Sequence, residues 1–177
     1  MSAGPEVPTH TDRAVVTAQV GREPRGEWWI ESRCRFGYPQ VIGTPPLIEG
    51  GTPFPTLFWL TCPWLVGEVS AAESGGAVGE WAERLAADPA MAARMCRADE
   101  VYRSRRATRS VSDVDPCDRV GIAGQRDPLG TKCLHAHVAA ALAGIDDPVG
   151  LAVLDGTGRW CPDTRCAALT CLREEEQ

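Results

Sequence analysis

Leu57-Phe58-Trp59-Leu60-Thr61-Cys62-Pro63-Trp64-Leu65-Val66 changes character halfway along. Its first half is aromatic and aliphatic up to Thr61, which predicts a strand over 57–61. Pro63 has no amide hydrogen to lose and a φ already preset for helix, so it fits a first helical position. It predicts a helix running through Trp64, Leu65, Val66 and Val69. Cys62 then stands at a strand end and a helix N-terminus at once.

Outward from this junction, strand signals lie on the N-terminal side and helix signals on the C-terminal side. Residues 28–36 and 38–44 read as two further strands. The prolines and glycines of 45–55 predict an irregular but defined loop. Ahead of the strands, Thr11 or Asp12 can cap a helix through Ala14, Val15, Ala18 and Gln19, which Gly21 and Pro24 end. Downstream, Ser74-Gly75-Gly76 interrupts, 78–87 resumes, and Asp88-Pro89 opens the longest helix, to about Thr108. Residues 110–130 read as a long loop, ordered or mobile. Helices follow over 131–142, up to Gly144, then over 148–154 and 162–172. The expectation is an α+β fold in one domain: a small antiparallel sheet of about three strands packed against several helices. The domain is placed at 11–172, between a flexible tail at 1–10 and an acidic tail at 173–177.

Composition agrees. A chain of 177 residues with 44% hydrophobic and 24% charged residues has the size and balance of one globular domain. The net charge of −6 argues against a surface built throughout to hold nucleic acid, and no sequence-specific nucleic-acid motif is present. There is no signal-peptide pattern at the start and no apolar run long enough for a membrane helix, so no membrane partner is expected and the expected location is cytoplasmic. In that reducing setting the eight cysteines read as thiols, not as a disulfide framework, with buried packing as the competing role of each.

The densest group of ligand residues is Lys132-Cys133-Leu134-His135-Ala136-His137. If 131–142 is wholly helical, Cys133 and His137 share a side at i, i+4 and His135 faces the opposite flank. If Cys133 precedes the first turn, Cys133 and His135 converge instead. Cys34 and Cys62, both at strand ends, are expected to reach this cluster. Cys34, Cys62 and Cys133 with His135 or His137 would make a Cys3His set suited to zinc, with an iron-sulfur cluster as the alternative cofactor. The expected role is structural or regulatory more than enzymatic. A thiol enzyme would use Cys62 as nucleophile, activated by its helix N-terminus, with His135 or His137 as base. Cys161, Cys166 and Cys171 recur every five residues, a spacing that scatters them around a regular helix. Cys161, just before Pro162, could reach a separate loop site, but packing is its expected role.

The long helix concentrates Arg94, Arg97, Arg103, Arg105, Arg106 and Arg109, opposed locally by Asp99 and Glu100. Guanidinium forks match phosphate oxygens, so this face is the candidate for an anionic partner. The competing reading is a solvated helix face neutralised from elsewhere in the fold.

Three stretches carry a family resemblance: Arg33-Cys34-Arg35-Phe36-Gly37-Tyr38-Pro39, the long run from Gly51-Thr52-Pro53-Phe54-Pro55-Thr56 through Cys62-Pro63, and Lys132 to His137. Together they resemble a bacterial family of uncharacterised proteins, domain of unknown function 501, over approximately 22–154. The resemblance implies a cytoplasmic, mainly actinobacterial protein. Such proteins are often encoded near a septum-formation initiator, enolase and an exopolyphosphatase-type phosphatase, a hint toward cell division or polyphosphate metabolism. It places Cys34, Cys62, Cys133 and His135 inside family motifs and gives His137 less support.

Overall fold

A computed structural model describes residues 5–48, 50–110 and 114–171; the expected acidic tail and the first four residues of the expected N-terminal tail lie outside the described residues. The elements in order are α1 (His10–Val20), β1 (Trp29–Arg33), β2 (Pro39–Gly43), β3 (Leu47–Ile48), β4 (Thr52–Pro53), β5 (Phe58–Leu60), α2 (Pro63–Ser74), α3 (Ala77–Ala87), α4 (Pro89–Ala107), a 3-10 turn (Ile122–Gly124), α5 (Leu134–Leu142), α6 (Pro148–Thr157) and α7 (Cys166–Cys171). The α+β expectation holds, with an antiparallel sheet ordered β1-β2-β5 and a separate β3-β4 ribbon inside the proline-rich loop.

Alternation along the strands divides the core between the two faces of the sheet. Ile30 pairs with Ile42, and Ile42 with Trp59. These side chains face α1, where Val16 and Trp28 complete a small cluster. Val41, Phe58 and Leu60 point the other way, into the main core with α2, α4, α5 and α6. Gly43 lies opposite Trp29, and the indole occupies the space a Cβ there would need. The strand expected over 28–36 stops at Arg33 because Cys34 begins a tight turn. The Gly37 amide donates to the Cys34 carbonyl at 2.9 Å, and Gly37 takes φ 85°.

The first helix begins earlier than Thr11. Thr9 caps it: Thr9 Oγ1 accepts the Asp12 amide at 3.1 Å, and the Asp12 carboxylate accepts the Thr9 amide at 2.9 Å, a reciprocal capping box. Asp12 therefore acts inside the first turn. The segment before it is tied down, since Glu6 forms a β-bridge to Ile30 and its carboxylate pairs with Arg33 at 2.6 Å.

Helix α5 is the buried axis of the helical layer, with Leu134 and His137 to Ala141 all inside. Helix α6 crosses it so closely that a Cβ at Gly150 would run into the His137 carbonyl. Asp147 caps α6 by accepting the Val149 and Gly150 amides, both at 2.9 Å. The expected final helix, 162–172, begins only at Cys166, so Cys161 lies in the irregular segment before it.

Candidate metal centre

Helix α5 does not start where periodicity alone suggests. Thr131 sits at φ 29° and Cys133 is extended at φ −150°, ψ 112°, so Cys133 is the N-cap and Leu134 the first helical residue. The Cys133 side chain makes no cap hydrogen bond. The orphan amide of Leu134 instead donates to Glu73 Oε1 at 2.6 Å, across from the last turn of α2.

This capping carboxylate brings a third ligand type to the cluster. One ligand atom each from Glu73, Cys133 and His135 lies within 4.8 Å of the others, the one such group among the described residues. His135 Nδ1 is 3.3 Å from Glu73 Oε1 and 3.9 Å from Cys133 Sγ. On the far side of the ring, His135 Nε2 lies 3.3 Å from the Val66 carbonyl and 3.2 Å from Ser70 Oγ. A carbonyl only accepts, so Nε2 carries a proton and, in the neutral ring, the Nδ1 lone pair faces Cys133 and Glu73. The Cys133 sulfur and the Glu73 charge push the imidazole up to about 9. In the metal-free chain a proton on Nδ1 therefore occupies the middle of the group at neutral pH. The three side chains are half-buried, and Cys133 and His135 line one wall of an open groove with Phe58, Leu60, Val66 and Ala136.

Of the two geometries open in the sequence, Cys133 with His135 is the one formed. His137 points into the core, fully buried, with Nδ1 2.7 Å from the equally buried Asp147 carboxylate. It is a packing and hydrogen-bonding residue, because α6 covers its flank of α5. Cys34 and Cys62 do not join the group either. Cys62 caps the N-terminus of α2 and Glu73 lies in its last turn, so about 16 Å of helix separates them. Burial pushes the Cys62 thiol up, opposite to the activation a nucleophile needs.

The arginines of α4 are largely engaged within the fold. Arg106 is wholly buried; its Nε donates to Asp115 at 2.8 Å, and its remaining donors reach the Pro55, Cys117 and Val120 carbonyls. It cannot serve a surface anion, and it orders the chain around 115–120 as its counterpart. Arg103 pairs with Asp99 at 2.7 Å, and Arg94 Nε donates to Asp146 at 2.8 Å. Arg105 donates to the Ala143 carbonyl at 2.7 Å and stands 3.9 Å from Glu31. Arg109 lies over the Trp29 ring and Arg97 is exposed. Intramolecular carboxylates and carbonyls thus engage Arg94, Arg103, Arg105 and Arg106.

Glu73 escaped the sequence reading because nothing local marks it. Its role follows from α2 ending beside the start of α5, a tertiary fact. No described helix is long and apolar enough to cross a membrane. The family model described as "Protein of unknown function (DUF501)" matches residues 30–155, which includes all three residues of the group. No curated protein and no solved structure matches the chain. The chain belongs to the DUF501 family.

Proposed function

We propose that this member of the DUF501 family binds a divalent metal ion, zinc by preference, through Glu73, Cys133 and His135, in a structural or regulatory role. The observation that carries the reading is the convergence of three different ligand atoms within 4.8 Å, on two helices whose ends the ion would join. One thiolate, one imidazole and one carboxylate suit zinc, whose softness is intermediate. An iron-sulfur cluster needs more thiolates than this group offers.

The contacts around the ligand side chains support the assignment. Val66 and Ser70 hold the far edge of the His135 ring, as backbone and hydroxyl partners do for metal-bound histidines. The Leu134 amide holds the Glu73 oxygen that faces His135. Three protein ligands leave a fourth position for water or a partner's side chain, and the neighbouring groove gives access to it. Metal occupancy would tie the end of α2 to the start of α5 and fix one wall of that groove.

Metal analysis of the full chain, expressed without a histidine tag, tests the reading. Near-stoichiometric zinc that falls in Glu73→Gln and His135→Gln is the expected result. Metal content unaffected by both substitutions would remove it.

A further inference from the structure

Four of the other cysteines lie on segments that two glutamines tie together. Cys34 begins the β1–β2 turn, with its amide donating to the Tyr38 carbonyl at 2.9 Å. The next residue, Pro39, offers its carbonyl to Gln19 Nε2 at 2.9 Å, and the same Nε2 is 3.3 Å from Cys166 Sγ. Gln40 then links the other two. Its carbonyl accepts the Thr61 amide at 2.9 Å and the Cys62 amide at 3.4 Å. Its side-chain amide donates to the Arg159 carbonyl, two residues before Cys161. The buried Gln40 and the half-buried Gln19 thus bind the β1–β2 turn, the start of α2 and the 159–166 segment into one place.

Burial pushes the Cys62 and Cys166 thiols up; the neighbouring thiols, Cys161 and Cys34 for Cys62 and Cys62, Cys161 and Cys34 for Cys166, push in the same direction. Cys62, Cys161 and Cys166 are each at most 5% exposed, and Cys34 is half-buried. The Trp64 and Leu65 amides of α2 favour the Cys62 thiolate, though neither closes a cap hydrogen bond. Four thiols brought toward one place from three separate parts of the chain offer a thiophilic cation its preferred ligands.

We propose that Cys34, Cys62, Cys161 and Cys166 form a second metal site, a tetrathiolate site for a single zinc ion that staples the C-terminal segment to the sheet. Thiol protons leave as the ion binds. The metal-free sulfurs stand more openly than the ~3.8 Å separations implied by four Zn–S bonds of ~2.3 Å, since no three of them lie within 4.8 Å of one another. Binding must therefore draw the Cys34 turn and the irregular 159–165 segment inward. Two of the four ligands, Cys161 and Cys166, lie beyond the family-matched region, so the site joins that region to this chain's own C-terminal segment.

The proposal stands apart from the Glu73 group, and one set of proteins separates them. The untagged full chain, Cys161→Ser/Cys166→Ser, Cys34→Ser and His135→Gln are compared for zinc per chain and for visible spectra after cobalt replacement. The expected result is one zinc equivalent fewer in each cysteine variant, with loss of the intense multi-thiolate charge-transfer absorption, while His135→Gln keeps that absorption. A sole zinc lost in the cysteine variants but not in His135→Gln supports this site and sinks the Glu73 reading. Unchanged zinc in the cysteine variants overturns this site and leaves the Glu73 group standing. If the double variant fails to fold, alkylation of the wild-type chain decides. Zinc should protect these four cysteines, and equal labelling with and without zinc overturns the proposal, as would acid-labile sulfide at the site.

Discussion

Glu73 lies 3.3 Å from His135 Nδ1 while the same oxygen accepts the Leu134 amide at 2.6 Å. One carboxylate thus caps α5 and completes the ligand group, and the two roles respond differently to substitution. Glu73→Gln keeps a carbonyl oxygen for the cap but removes the charge a metal requires. The expected loss is at least tenfold in zinc affinity, with a stability cost of about 1 kcal/mol or less in the metal-free chain. Zinc competition titration beside urea denaturation separates the two; equal zinc affinity in wild type and variant would contradict the ligand role.

The metal-free chain carries its own pH signature. His135 is raised to about 9 from an ordinary 6.5, so its contacts with Cys133 and Glu73 contribute fully below pH 6.5 and are lost as pH rises through 9. Metal-free protein should therefore lose stability between those values, and His135→Gln should flatten that part of the profile. Zinc must displace the same proton, so zinc affinity should rise with pH over the same window. Denaturation midpoints at pH 6 and pH 9, with and without a chelator, check both; a wild-type profile parallel to that of His135→Gln would refute the assignment.

Arg106 tests the account of α4 as a structural helix. Its guanidinium is completely buried against Asp115 and three carbonyls, and removing one partner of such a pair costs about 3–5 kcal/mol. Arg106→Met should destabilise the chain by that order, whereas Arg97→Ala, at an exposed position, should change stability by about 0.5 kcal/mol or less. Urea midpoints measure both, and a neutral Arg106→Met would show that the buried network is not formed.

The α5–α6 crossing makes a further prediction. Because a Cβ at Gly150 meets the His137 carbonyl, Gly150→Ala should destabilise by about 1–3 kcal/mol despite alanine's better helix propensity. A stabilised variant would mean that the helices do not approach so closely.

Local chemistry makes much of the fold legible. Pro63 marked the start of α2 and placed Cys62 at its N-cap; Asp88-Pro89 did the same for α4. Strand-forming residue types mark the three strands of the sheet. The ligand sets were harder, because each depends on which ends of which helices meet. Cys133 with His135 was one of two open geometries, decided by the extended backbone of Cys133 and the positive φ of Thr131. Glu73 became visible only through the packing of α2 against α5. The scattering argument for Cys161 and Cys166 applies to a single helix, whereas α7 starts at Cys166 and leaves Cys161 in the irregular segment before it. The hydrogen bonds of Gln19 and Gln40 that link the β1–β2 turn, the start of α2 and the 159–166 segment span up to 147 residues of sequence, beyond any periodicity.

The most direct test of the metal-binding account is the zinc content of the untagged wild-type chain measured beside Cys133→Ser, prepared identically. The account predicts one zinc equivalent fewer per chain in Cys133→Ser, with the fold retained. Equal zinc in the two proteins, or none in either, would contradict it.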